Sequence, residues 1–81
     1  MSRLEQEIID TIAEESGIDR DEIKPDSDLY SLGIDSLSAL EILTVLEEKY
    51  NIIIQDNDLK NTNSVTEIIR LVSSKLEKKQ S

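Results

Sequence analysis

The stretch IDSLSALEILTVLEEKY, residues 34–50, decides the fold of this chain. On a helical wheel at about 100° per residue, five of its apolar side chains gather into one arc that predicts a core-facing helix surface. We expect the helix to run from Ser36 to Tyr50, with Asp35 or Ser36 as the N-cap and Asn51 as the stop. The predicted core face consists of Ala39, Ile42, Leu43, Leu46 and Tyr50.

The opposite face of this helix mixes large aliphatic side chains with carboxylates. An ordinary solvated face is polar throughout, although single exposed leucines are common and often mean nothing. Two leucines close to the helix start and ringed by acids favour a docking surface, in which the apolar pair adds affinity and the acids steer a basic partner. A plain solvated face is the alternative. This mixed face consists of Leu37, Leu40, Glu41, Thr44, Glu47 and Glu48.

A first helix and a long loop precede this segment. Ser2 and Glu5 form a possible capping box, and Gly17 stands where a left-handed residue usually ends a helix. Residues 18–35 are rich in Asp and Ser, and loops of this length are often functional, although a simple spacer between antiparallel helices would look the same. The side chains expected to anchor the loop to the core are Ile18, Ile23, Leu29, Tyr30 and Leu32.

Short elements follow the central helix. The β-branched run 52–54 has no partner strand elsewhere in the sequence, so we interpret it as a buried connector. Asp56 is expected to cap a short helical turn, and Ser64 with Glu67 forms a capping box for a last helix. The sequence therefore predicts an all-α fold: a small bundle of three main helices plus one short helix, in a single domain 1–81. Its core spans about residues 3–76, and its C-terminal tail frays.

Charge limits the possible partners. The chain has 81 residues, of which 18 are acidic and 9 basic, for a net charge of -9. This balance argues against nucleic acid and anionic membranes and favours partners with basic surfaces. No apolar stretch approaches the roughly 20 residues that cross a membrane, and the N-terminus lacks a signal-peptide pattern. We expect a monomeric cytoplasmic protein without membrane insertion.

The residue types present exclude several kinds of chemistry. The chain contains no histidine and no cysteine, so it has no imidazole to activate a serine, no disulfide and no thiolate metal site. The acidic clusters at 26–28 and 56–58 lack the spacing of a calcium loop, and we expect no metal site and no enzyme activity. A hydroxyl at a helix N-terminus suits a phosphate, because free N–H groups and the helix dipole favour an anion there. Ser36 is therefore interpreted as an attachment point.

This order of features resembles the acyl carrier protein family from the first helix through Val72. The most specific element is LGIDSL, residues 32–37, which is similar to the family's 4′-phosphopantetheine attachment motif. The resemblance implies that Ser36 carries phosphopantetheine through a phosphodiester and that the arm's thiol holds an acyl group as a thioester. It also implies that Asp35 caps the helix and helps the loading transferase, and that Gly33 allows a tight backbone approach.

The resemblance further implies which surfaces meet partner enzymes and cargo. The partners would be a phosphopantetheinyl transferase and acyl-processing enzymes with basic docking surfaces, which read the mixed face of the second helix. Asp56 would match a docking acid of the short helix, where a plain cap is an equally good interpretation. The family's cavity for the acyl chain would be lined by Leu46 and Ile54, unless both simply belong to the core.

Three departures leave the pathway open. Ser38 stands where carriers of fatty-acid synthesis usually have an acid, Thr44 replaces a large apolar residue, and Gln55 replaces a proline. Fatty-acid, polyketide and other lipid pathways are all compatible with these positions, as is an aminoacyl or peptidyl carrier of nonribosomal chemistry. The alternative from another class is a helical interaction adaptor without a prosthetic group.

Overall fold

The computed structural model describes residues 2–80 and shows three α-helices with two short 3₁₀ turns between them. The helices are α1 (Arg3–Ser16), α2 (Ser36–Tyr50) and α3 (Val65–Gln80), and the 3₁₀ turns are Arg20–Glu22 and Asp56–Asn61. Within residues 2–80 there is no β-strand, only one isolated antiparallel bridge between Asp28 and Ser64. The predicted all-α class is confirmed, and the loop before α2 contains a 3₁₀ turn that was not predicted.

Local signals set the ends of α1. The hydroxyl of Ser2 accepts a hydrogen bond from the Glu5 N–H at 3.2 Å, which satisfies one of the free donors of the first turn. Gly17 ends the helix in the left-handed region with φ 77°, and its N–H donates to the Ala13 carbonyl. A residue with a Cβ is disfavoured in that conformation, so the glycine stops the helix where the sequence predicts.

Helix α2 has the predicted bounds. Asp35 is its N-cap, and the Asp35 carboxylate accepts from the Ser38 N–H at 2.8 Å. Asn51 is its C-cap in the left-handed region with φ 54°, a conformation that asparagine tolerates better than most residues. Leu46 is fully buried at the centre of the predicted core face.

The core is entirely aliphatic and joins all three helices with anchors from the loop. Each fully buried Leu, Ile or Val contributes about 1.5–3 kcal/mol relative to exposure. Helix α1 packs against α2 and α3, so the buried side chains of the three helices meet in one cluster. The buried hydrophobic residues are Ile8, Ile9, Ile12, Ile23, Leu29, Ile34, Ile42, Leu43, Leu46, Ile52, Val65, Ile68 and Val72.

Two predictions of inward-facing residues are wrong. Tyr30 was expected to anchor the loop but is 66% exposed, whereas Leu29 beside it is 3% exposed and fills that role. Ile53 is 74% exposed, although the connector around it was expected to be buried. Ile52 is buried and Ile54 is half-buried, because an extended connector turns successive side chains to opposite sides.

The second 3₁₀ turn is capped differently from the prediction. Asp56 is its first residue, and the N-cap is Gln55, whose N–H donates to the Asp58 carboxylate at 2.9 Å. Lys75 of α3 pairs with the same carboxylate at 2.9 Å. The backbone N–H of Gln55, followed by Lys75, lowers the pKa of Asp58 below its ordinary value. This pair fixes the turn against α3.

The C-terminal segment, expected to fray, is helical through Gln80. Near its end, the Lys79 ammonium donates to the backbone carbonyls of Tyr50 at 3.4 Å and Asn51 at 3.0 Å. A cation at these positions satisfies carbonyls that the end of α2 leaves without helical partners. The contact explains why the last turn of α3 keeps its structure.

Candidate functional site

Ser36 is the first residue of α2, and its side chain is exposed. The preceding residue, Asp35, closes the helix start through its bond to the Ser38 N–H. That backbone N–H is the main cause that lowers the pKa of Asp35 below its ordinary value. The helix therefore begins with a carboxylate that stays ionised at neutral pH and a free hydroxyl next to it.

A tight backbone turn presents this hydroxyl to solvent. The N–H groups of Leu32 and Ile34 both donate to the Leu29 carbonyl, at 3.1 and 3.0 Å, and the Gly33 N–H donates to the Tyr30 carbonyl at 3.0 Å. Leu29 and Ile34 are buried and act as two anchors, so the chain between them must turn outward.

The backbone conformation of Gly33 accounts for a glycine at this position. Its φ is 83°, in the left-handed region, and a Cβ built there would meet nothing within 4 Å. Within the described residues no atom approaches Gly33 that closely, and the expected close backbone approach stays a prediction. The glycine is needed because the turn requires a positive φ, which side chains with a Cβ rarely adopt.

Tyr30 lies beside the serine. Its hydroxyl is 3.4 Å from the Ser36 Oγ, and either oxygen can be the donor. Sequence reasoning missed this residue because it took the aromatic ring as a core anchor. The polar tip of tyrosine was the available signal, since a Tyr at a loop often keeps its hydroxyl in contact with water or a polar partner.

A cavity of about 320 Å³ opens next to Ser36, between α2 and the second 3₁₀ turn. This volume lies at the lower end of the range for small-molecule pockets. Its polar rim is formed by Tyr30, Asp35, Ser36, Thr62 and Asn63. Its apolar wall is formed by Leu29, Ile34, Ala39, Leu40, Leu43 and Leu59.

The residues predicted to line an acyl cavity are not those that line this one. Leu46 is fully buried in the core cluster, and Ile54 lies half-buried in the connector. Leu43, nearly one turn closer to the start of α2, lines the cavity beside Ser36. The cavity lies near the serine end of the helix because the second 3₁₀ turn packs there through Leu59.

The mixed face of α2 is mostly exposed, as its pattern suggests. Leu37 is 67% and Leu40 46% exposed, and the other exposed members of the face are Glu41, Thr44 and Glu48. Asp56 is exposed on the second 3₁₀ turn.

Glu47 differs from the rest of this face. It is half-buried, and its carboxylate accepts from the Ile54 N–H at 2.7 Å. The sequence pattern gave no sign of this bond, because it joins positions seven residues apart through a connector of irregular shape. Glu47 therefore has a structural role in holding the connector against the end of α2.

Other kinds of site are not found in the part of the chain that the structure describes. That part contains no cluster of three or more acidic, His or Cys side chains able to hold a metal ion. None of its helices combines the length and apolarity that a bilayer crossing needs.

Similarity to known proteins shows which family the chain belongs to. The family model of the phosphopantetheine attachment site matches residues 6–72. The acyl carrier protein of Clostridium acetobutylicum is 33% identical over 73 residues, which cover 89% of this chain and 95% of that protein. The chain belongs to the acyl carrier protein family. A crystal structure of an acyl carrier protein from Thermotoga maritima matches with a TM-score of 0.81 at 20% identity, covering 96% of this chain and 98% of that one.

A further relative shows that the same carrier unit occurs inside large proteins. A non-reducing polyketide synthase of Emericella nidulans is 39% identical over 70 residues, which cover 86% of this chain but only 3% of the synthase. The prosthetic group of this carrier is covalently attached 4′-phosphopantetheine. The resemblance seen in the sequence is thus confirmed at the level of family, fold and prosthetic group.

The residues at the site fit such a group. Ser36 offers an exposed hydroxyl for a phosphodiester, and the adjoining cavity has an apolar wall. The chain has no thiol of its own, and phosphopantetheine supplies one for thioester chemistry. Members of this family carry acyl groups and meet a phosphopantetheinyl transferase and acyl-processing enzymes, which perform the catalysis.

Proposed function

We propose that Ser36 is the attachment residue of this carrier and that acyl intermediates travel on the arm it bears. The observation that carries the proposal is the position of an exposed hydroxyl at the start of α2, inside the matched region 6–72 and at the rim of an apolar cavity. Phosphopantetheine supplies the thiol that forms the thioester. The chain's own residues bind, orient and shelter, and none of them catalyses.

The residues around Ser36 divide this work. Asp35 closes the helix start and keeps the Ser36 side chain at a fixed place on the surface. Leu29 and Ile34 hold the turn that presents it. The cavity wall at Leu43 and Leu59 shelters the apolar part of an acyl chain. Each Å² of apolar surface that leaves water on burial contributes about 25 cal/mol of favourable free energy.

The exposed part of the mixed face is the proposed docking surface for enzymes with basic surfaces. Two leucines give it apolar contact area near Ser36, and its carboxylates attract Lys and Arg of the partner. Glu47 is left out, because its carboxylate is bonded to the connector. Together with Asp56, which is exposed on the second 3₁₀ turn, the proposed surface consists of Leu37, Leu40, Glu41, Thr44 and Glu48.

The proposed working form is a monomeric cytoplasmic carrier with one domain. The acidic surface supports a single copy, because like charges repel between copies and the net charge is -9. The choice between fatty-acid and polyketide cargo depends on which enzymes recognise Ser38 and Thr44, the positions that depart from carriers of fatty-acid synthesis.

Loading in vitro tests the proposal. The apo protein is incubated with coenzyme A and a broad-specificity phosphopantetheinyl transferase, and its intact mass is measured. We expect one phosphopantetheine addition to the wild type and to Ser38→Ala, and none to Ser36→Ala. Ser38 is a matched control because it lies two residues further along the same helical turn.

Circular dichroism should show the same helix content for all three proteins. A wild-type chain that stays unmodified with several transferases would contradict the proposal. A mass increase in Ser36→Ala would show that the phosphopantetheine is attached to another hydroxyl.

A further inference from the structure

The first turn of α2 offers backbone N–H groups to a phosphate on Ser36, but the side chains around the cavity add no positive charge. The nearest charged side chain at the cavity rim is the Asp35 carboxylate, which already accepts the Ser38 N–H. Among the described residues that line the cavity there is no lysine and no arginine. A phosphodiester at this position therefore meets a carboxylate and no cationic side chain at the cavity, so a side-chain donor to its oxygens here is a neutral one.

Tyr30 is placed to be that donor. Its hydroxyl lies 3.4 Å from the Ser36 Oγ, which is longer than the usual 2.5–3.0 Å between hydroxyl oxygens. Within residues 2–80 this hydroxyl has no other hydrogen-bond partner in the structure. The contact in the unloaded protein is therefore weak, and the Tyr30 O–H remains available.

The backbone holds Tyr30 in place although its side chain is exposed. The Tyr30 carbonyl accepts the Gly33 N–H at 3.0 Å, and the Asp28 carboxylate accepts the Ser31 N–H at 3.3 Å. Leu29, the preceding residue, is buried. The backbone of Tyr30 is thus held at the cavity rim, so only its side-chain torsions remain to be ordered when the hydroxyl binds.

We propose that Tyr30 is a positioning residue of the loaded carrier: its hydroxyl donates a hydrogen bond to a phosphate oxygen of the group on Ser36. The bond directs the start of the arm toward the cavity that the Tyr30 ring borders. A hydrogen bond to a charged acceptor is shorter and stronger than one between neutral groups. Because the Tyr30 hydroxyl is neutral, it adds no positive charge next to the acidic docking surface. This inference rests on the proposed attachment at Ser36.

Phosphorus NMR of the loaded protein tests the inference. Wild type, Tyr30→Phe, Tyr30→Ala and Ile53→Ala are loaded from coenzyme A, their single addition is verified by mass, and their phosphorus spectra are recorded. Ile53→Ala is the control, because Ile53 is 74% exposed and does not line the cavity.

We expect the phosphorus resonance to shift in Tyr30→Phe and to stay at the wild-type position in Ile53→Ala. Tyr30→Phe is decisive because it removes only the hydroxyl and keeps the ring. We also expect cross-relaxation between phosphorus and the Tyr30 ring protons in the wild type and its loss in Tyr30→Ala.

A loaded Tyr30→Phe protein with a wild-type phosphorus resonance would overturn the role of Tyr30 while leaving the attachment intact. A wild-type protein that gains no mass would instead overturn the attachment itself. Because Tyr30→Phe changes one exposed atom, it is expected to fold and load even where Tyr30→Ala loads less completely.

Discussion

The two ends of α2 are both capped, but they use their polar side chains in opposite ways. At the C-terminal end, the Glu47 carboxylate binds the Ile54 N–H at 2.7 Å, and Lys79 donates to the carbonyls of Tyr50 and Asn51. At the N-terminal end, only Asp35 is committed to the helix, while the hydroxyls of Ser36 and Tyr30 face solvent.

This difference separates stability from function along one helix. At the C-terminal end, the polar groups bond to the connector and to α3, so substitutions there should lower the free energy of unfolding. The N-terminal end keeps hydroxyls, exposed leucines and a cavity available, so substitutions there should act on loading and docking. The following predictions test how sharply this division holds.

The largest effect is expected at Leu46. Truncation of this fully buried side chain by Leu46→Ala should cost about 2–5 kcal/mol of unfolding free energy, measured by urea denaturation. Leu46→Met, which conserves volume, should cost less than about 1.5 kcal/mol. Leu37→Ala, at a side chain that is 67% exposed, should stay within about 0.5 kcal/mol. Equal losses of unfolding free energy for Leu46→Ala and Leu37→Ala would contradict the division of α2 into a part for stability and a part for function.

Glu47 comes next. Glu47→Ala removes the acceptor of the Ile54 N–H, so we expect a loss of about 1–2 kcal/mol in unfolding free energy. The neighbouring exposed residue provides the control, and Glu48→Ala should change stability by less than about 0.5 kcal/mol. A Glu47 variant as stable as its Glu48 counterpart would show that the bond to the connector adds nothing.

Glu41 tests the docking side of the comparison. Glu41→Lys should slow transfer by a basic partner enzyme by up to about tenfold at low salt, because the steering charge is reversed. The effect should shrink as salt rises, since surface charges are screened. Glu15→Lys on α1 makes the same charge change away from the mixed face and should leave the rate near that of the wild type. Identical rates for the two variants would mean that only net charge matters.

The smallest effect concerns Asp35 and pH. The Ser38 N–H lowers the pKa of this carboxyl in the folded state, so its contribution to stability is present above its ordinary pKa and is lost as pH falls through the lowered value. Asp35→Asn keeps a good N-cap that does not titrate. Its unfolding free energy, measured by denaturation from about pH 5 down to pH 2, should therefore fall less steeply than that of the wild type.

Asp56→Asn makes the same chemical change at an exposed residue that caps nothing in the structure. We expect it to follow the wild-type pH curve more closely than Asp35→Asn does. Three parallel curves would show that the cap does not link protonation to folding.

Sequence reasoning predicted what is encoded locally. The bounds of α2 and the stop at Asn51 follow from side chains that act within one helical turn, as does the N-cap, which the sequence narrowed to Asp35 or Ser36 and the structure places at Asp35. The core face of α2 follows from its period. These features needed no knowledge of where the other helices lie.

What the sequence could not predict depends on how distant segments pack. The cavity lies at Leu43 and not at Leu46 because the second 3₁₀ turn covers the serine end of α2. Glu47 is bonded because an irregular connector returns to it, and Tyr30 faces outward because Leu29 occupies the available place in the core. Each error was an assignment of burial or partner at a loop, where no period guides the choice.

The loop before α2 is joined to the start of α3 by two backbone bonds. The Leu29 N–H donates to the Asn63 carbonyl and the Val65 N–H donates to the Ser27 carbonyl, each at 3.0 Å. A shortened chain that ended before residue 63 would keep LGIDSL intact and still match a motif search. It would nevertheless lose the two hydrogen bonds that hold the loop before the serine in place. A protein fragment that contains the motif should therefore be tested as a carrier only when it includes the last helix.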